Sequence, residues 1–142
     1  MSIHLPFCGK TGRVMGRMDV FAFFDAHHFS PELQERYYRW WYEWAKKKVM
    51  EDPDLRAAYA PLFNRYPFGQ HALHSFHLKK EYIWAVAMED LGALICQVIL
   101  PKLDEQEKEA LMQAYRKMLE ALDEEARSHP HELPELGYLR HI

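Results

Sequence analysis

Residues 30–50 read SPELQERYYRWWYEWAKKKVM, and their pattern decides what kind of fold this chain can adopt. Ser30, Pro31 and Glu32 open the stretch with a hydroxyl able to accept an orphan amide, a proline suited to a first helical turn, and a carboxylate at the positive end of the dipole. Glu32, Arg36, Arg39, Glu43, Lys46 and Lys47 then return at helical spacing. Glu32 to Arg36, Glu35 to Arg39 and Glu43 to Lys47 are favourable pairs four residues apart. The pattern predicts a helix from Pro31 to about Met50. Tyr37, Tyr38, Trp40, Trp41, Tyr42 and Trp44 occupy the rest of its circumference, more ring surface than one inward stripe needs.

Similar punctuation recurs outward from this stretch. Upstream, Val20, Phe21, Phe23 and Phe24 suggest a short apolar helix closed by Asp25 to His28. Residues 1–17, with Gly9, Gly12 and Gly16 among Lys10, Arg13 and Arg17, read as an arm or a short β-hairpin. Downstream, Asp52-Pro53-Asp54 starts a short helix that Pro61 ends, and residues 62–70 read as a loop. Residues 71–100 contain no proline and predict one or two central helices, with Gly92 a candidate break and residues 82–86 alone compatible with a buried strand. Asp104 and Glu107 form a capping-box spacing for a helix to about Arg127. Its apolar stripe is Leu111, Tyr115, Met118, Leu122 and Ala126, and its outer side carries Glu105, Glu109, Arg116, Glu120 and Asp123. Pro130 and Pro134 make residues 128–142 an irregular tail whose leucines pack on the body.

The expected architecture is therefore mainly α: one domain over 1–142, an orthogonal or bundle-like packing of four to five helices. A chain of 142 residues with 49% hydrophobic content buries enough surface to fold without staples. Cys8 and Cys96 are too few for a disulfide framework or a thiolate zinc site, and Cys96 sits in an apolar run that reads as inert core. A reducing, cytoplasmic setting follows as the expectation. The first residues show no charged start, apolar stretch and cleavage site, so no secretory signal is expected. Residues 82–100 are the most apolar window, yet Glu89 and Asp90 at its middle argue against a membrane span.

Net charge is −3, but it is unevenly spread. Residues 1–80 carry 12 Lys+Arg against 8 Asp+Glu, giving +4, and residues 81–142 carry 6 against 13, giving −7. Such polarity bears on partners and steering and excludes an evenly basic nucleic-acid binder.

Chemical motifs are sparse. Gly9-Lys10-Thr11 lacks the glycine five positions earlier that a phosphate loop requires, His4 standing there instead. His74, His77 and Glu81 share a helical face and are the candidate ligands for a transition metal, with His71 nearby and His28 and Glu32 as a second-helix source. No Glu-x-x-His or His-Glu-x-x-His accompanies them, and surface histidines satisfy the spacing equally well, so no metal or other cofactor is assigned. No serine or cysteine stands in a nucleophile-elbow context. The preferred expectation is a non-enzymatic protein-binding or regulatory module, of assembly-subunit or inhibitor type. Its partner-binding face is Arg36, Arg39, Trp40, Trp41, Trp44, Lys47 and Lys48 on the aromatic-basic helix, with the acidic last helix as a second surface. The alternatives are the metal-binding reading and a nucleic-acid accessory role, alone or through a larger complex, with rings stacking on bases and Arg and Lys neutralising phosphates. A homo-oligomer is a further option.

Overall fold

A computed structural model describes residues 17–64 and 83–128. Five α-helices occur among the described residues: α1 (Arg17–Ala26), α2 (Pro31–Glu51), α3 (Pro53–Tyr59), α4 (Ile83–Leu94) and α5 (Glu105–Ser128). Short 3₁₀ turns follow α3 at Ala60–Asn64 and precede α5 at Leu100–Lys102, and α4 runs into a π-type turn at Ile95–Ile99. The mainly helical expectation holds. The N-terminal arm or hairpin, most of the 62–70 loop, the histidine-rich residues 71–81 and the tail from residue 129 lie outside the described residues.

Three helix starts form as local chemistry dictates. Ser30 caps α2, its Oγ accepting the Leu33 amide at 3.3 Å, with Pro31 at the first position. Asp52 ends α2 and begins α3, accepting the amides of Asp54 at 2.9 Å and Leu55 at 3.2 Å. Asp104 and Glu107 close a reciprocal capping box: each backbone amide donates to the other's carboxylate, at 3.2 and 2.8 Å.

The α1–α2 corner rests on a less obvious device. His28 sits at φ 57°, in the left-handed region that glycine usually occupies at a helix end. The Phe29 amide donates to the Phe24 carbonyl at 3.0 Å and the His28 amide to that of Asp25 at 3.1 Å, the paired bonds of a Schellman ending. Its hydrophobic clasp is present too: the Phe29 ring lies 6.1 Å from Phe24 and 6.3 Å from Phe23. Gln34, 1% exposed, reaches back from α2 and donates its side-chain amide to the Phe29 carbonyl at 3.0 Å. The chain is thus turned from α1 into α2 over four residues, 27–30.

α4 packs against both α1 and α2 and forms the middle of the core. Ala85, Ala87, Met88, Leu91, Ile95 and Ile99 are buried there, and residues 83–86 are helix rather than strand. Gly92 does not break α4 either; the irregularity falls at Ile95–Ile99 and Pro101 then ends the segment. Apolar residues on every side of this segment explain the outcome, because a helix hydrophobic all round is stable only when covered on all faces. No helix among the described residues is long and apolar enough to cross a membrane.

Cys96 departs from expectation. It is buried at 8% exposure, as an apolar run requires, but it is disulfide-bonded rather than a free thiol. The chain's other cysteine, Cys8, lies outside the described residues. Separation along the sequence does not measure separation in a fold, and a bonded Cys96 removes the basis for inferring a reducing compartment.

Candidate interaction face on α2 and α5

α2 is crowded with rings because it is the helix on which the other elements converge. α1, α3, α4 and α5 all meet it, directly or through ring contacts. Tyr38 stacks 5.3 Å from Trp84 of α4, Tyr42 lies 5.2 Å from Phe63 and donates its hydroxyl to the Phe63 carbonyl at 2.6 Å, and Tyr37 lies 5.3 Å from Phe23 of α1. Tyr37, Tyr38 and Tyr42 are buried, and Trp41 is 0% exposed. Trp41, named in the expected face, thus offers no surface in the chain as folded. Most of the rings that exceed one inward stripe, Trp41 among them, are absorbed because α2 has buried contacts on several sides. Among the described residues the one exposed large hydrophobic side chain is Met50, at 44%.

The remaining flank of α2 meets α5, and the two run antiparallel. Arg36 near the start of α2 pairs with Glu125 near the end of α5, whereas Lys48 near the end of α2 pairs with Glu107 near the start of α5 at 3.6 Å. Between these ends Tyr115 inserts among the α2 rings, 5.4 Å from Trp41, 6.1 Å from Trp40 and 6.2 Å from Tyr37. The Tyr37 and Tyr115 hydroxyls hydrogen-bond at 3.0 Å in the buried seam. Burial pushes the Tyr37 hydroxyl well above its ordinary 10.0, with Tyr115 adding to the rise and the Trp41 indole drawing it partly back. Burial likewise pushes Tyr115 up to about 12. Leu111, Leu122 and Ala126 complete the inner face of α5.

The aromatic-basic helix and the acidic last helix, read from sequence as two surfaces for other molecules, are thus in large part each other's partner. Arg36 and Lys48 are engaged by α5 carboxylates, and Arg39 pairs with Glu35 one turn earlier at 2.6 Å. Of the predicted face, Arg36, Arg39 and Lys47 are exposed, and Trp40, Trp44 and Lys48 are half-buried. Lys47 makes no ion pair with any described residue.

Sequence reasoning missed Glu107, Tyr115 and Glu125 as the groups that answer α2. A signal was present: Glu107 and Glu125 are 18 residues apart, five full helical turns, and so return to one flank. It also missed the bond between α1 and α5, where the His27 Nδ1 and the Asp123 carboxylate meet at 2.6 Å with the His27 ring against Phe23 at 4.4 Å.

Two open hollows border the α2–α5 seam. One of about 230 Å³ lies by Ser30, Glu32, Leu33, Arg36 and Glu125; the other, about 130 Å³, by Lys48, Asp52, Leu55, Lys102 and Glu107. Both fall below the roughly 300–1,000 Å³ of ordinary small-molecule pockets and are walled by charges already paired with each other. Among the described residues no three His, Cys, Asp or Glu side chains converge as metal ligands. The candidates His74, His77 and Glu81 lie outside the described residues. No family model, curated protein or solved structure matches the chain.

Proposed function

We propose that this chain is a protein-binding helical module that recognises its partner through the outer flank of α2, where Trp40 and Trp44 stand between Arg39 and Lys47. One observation carries the reading. Of the α2 rings of the sequence pattern, these two indoles alone keep solvent-facing edges, one helical turn apart and bordered by exposed cations. Half-open Trp beside Arg or Lys is the composition of interface hot spots, where a ring supplies area and a neighbouring charge supplies register. The pairing of α2 with α5 supports the same chemistry inside the molecule: rings in the middle and ion pairs at the ends.

The test is affinity capture from the native cell with the full chain and two variants. Trp44→Ala with Lys47→Glu is expected to lose a stoichiometrically bound protein that the parent chain retains. Arg116→Glu, on the exposed side of α5 nearest α1, is expected to retain it. Helical circular dichroism must be equal in all three. Equal capture by all three chains would refute this surface.

A further inference from the structure

We infer that the partner of this face is a second copy of the same chain, bound through a two-fold arrangement that sets α2 of each copy over α5 of the other. The inference rests on the reading of α2 as a binding face and goes on to name its occupant. The solvent side of the α2–α5 pair has two parallel ridges. On α2, Arg36, Trp40, Glu43, Lys47 and Met50 alternate at steps of four and three residues; on α5, Ala110, Ala114, Lys117, Ala121 and Glu124 do the same. All are exposed except the half-buried Trp40. Steps of four and three keep one side of a helix facing one neighbour, the spacing of helix-on-helix seams.

The ridges lie on the same side of the pair. Glu107, Ala114 and Ala121 are successive seven-residue steps on α5, and Glu107 reaches the solvent flank of α2 at Lys48. Asp123, which faces α1 through His27, lies on the opposite side of α5. The antiparallel register fixed by Arg36 with Glu125 and Lys48 with Glu107 puts Trp40 level with Tyr115, hence beside Ala114.

Shape and charge across these ridges are complementary to a copy of themselves. A two-fold axis parallel to the helices exchanges left and right but keeps direction, so α2 of one copy covers α5 of the other in the antiparallel sense already seen within the chain. Trp40 of each copy then meets the low stretch of Ala114 and Ala121, large against small. The cations Arg36, Arg39 and Lys47 face the carboxylates Glu107, Glu120 and Glu124. Lys47, Glu120 and Glu124 make no ion pair with any described residue and gain one in this arrangement, whereas Arg36, Arg39 and Glu107 share theirs with Glu125, Glu35 and Lys48 of their own chain. Five turns of α5 span about 27 Å and two packed helices present a face about 20 Å wide, giving roughly 500 Å² per copy. A specific interface covers about 800 Å² per partner, so the dimer is a weak, concentration-dependent one.

Sedimentation equilibrium of the purified full chain from about 5 μM to about 500 μM tests this, a range that brackets weak association. The weight-average mass is expected to climb from one chain toward two. Ala114→Arg, at an exposed helical position, and Trp40→Ala are each expected to raise the dissociation constant at least about tenfold with unchanged circular dichroism. Arg116→Glu, at an exposed position seven residues before Asp123 and so on the side of α5 away from the ridge, is expected to leave the isotherm unchanged. A single-chain mass throughout, or Ala114→Arg indistinguishable from Arg116→Glu, overturns the dimer. If the chain stays single while Trp44→Ala with Lys47→Glu still loses a different captured protein, the dimer falls and the binding face stands.

Discussion

Replacing Tyr115 by phenylalanine removes one oxygen from the buried seam between α2 and α5 and leaves its ring area in place. The Tyr37 hydroxyl then loses the partner it holds at 3.0 Å, in a position of 0% exposure that water does not reach. An unsatisfied buried hydroxyl costs about 1–3 kcal/mol, and the Trp41 indole beside Tyr37 places the expected loss at the lower end, about 1–2 kcal/mol at pH 7. Tyr37→Phe with Tyr115→Phe is expected to recover part of that loss, because no orphan hydroxyl is left.

The pH dependence gives a sharper signature of the same substitution. Tyr115 releases its proton near its ordinary 10.0 when unfolded and near about 12 when folded. Its contribution is therefore complete below pH 10.0 and falls as pH rises toward about 12, since the unfolded chain loses the proton first. At pH 11 the loss is about 1.4 kcal/mol from this group alone. Tyr37 moves the same way. The gap between wild type and Tyr115→Phe, read from urea midpoints, is thus expected to close by about that amount between pH 7 and pH 11. A gap that is constant across this range, or a variant more stable than wild type at pH 7, would refute the buried hydroxyl pair.

Two further substitutions address the helix ends. His28→Gly relieves the left-handed strain at φ 57° and is expected to stabilise the fold by about 0.5–1 kcal/mol, whereas His28→Val should lower the melting temperature; the reverse order would contradict the Schellman ending. Asp104→Ala opens the capping box of α5 and is expected to cost about 1 kcal/mol, with Glu107→Ala non-additive on top of it because the two side chains act reciprocally.

What could be read from the sequence divides along the range of the forces involved. Ser30, Asp52 and Asp104 cap helices through hydrogen bonds that reach two or three residues, so neighbouring residue types were enough to place α2, α3 and α5 within a residue or so. The apolar stripe of α5 was legible for the same reason, as Leu111, Tyr115, Leu122 and Ala126 return with the helical period. The α1 ending was not, because a histidine stands where the left-handed residue is usually glycine. The candidate face was only half legible. Periodicity identifies Trp40, Trp41 and Trp44 as one aromatic set but gives no direction for the core. Which of them is sealed depends on where α4 and α5 lie, and that is fixed by distant contacts such as Tyr38 with Trp84 and Trp40 with Tyr115. The same limit hid the disulfide of Cys96.

Fluorine NMR of the chain labelled with 5-fluorotryptophan, its four resonances assigned by single Trp→Phe substitutions and recorded with a soluble paramagnetic probe, reads the exposure of each indole separately. Trp40 and Trp44 are expected to broaden clearly while Trp41, sealed by Tyr115 and its neighbours, stays sharp. Broadening of Trp41 equal to that of Trp40 would show that α5 does not cover α2, and complete protection of Trp40 and Trp44 would leave no indole edge on α2 for a partner to touch.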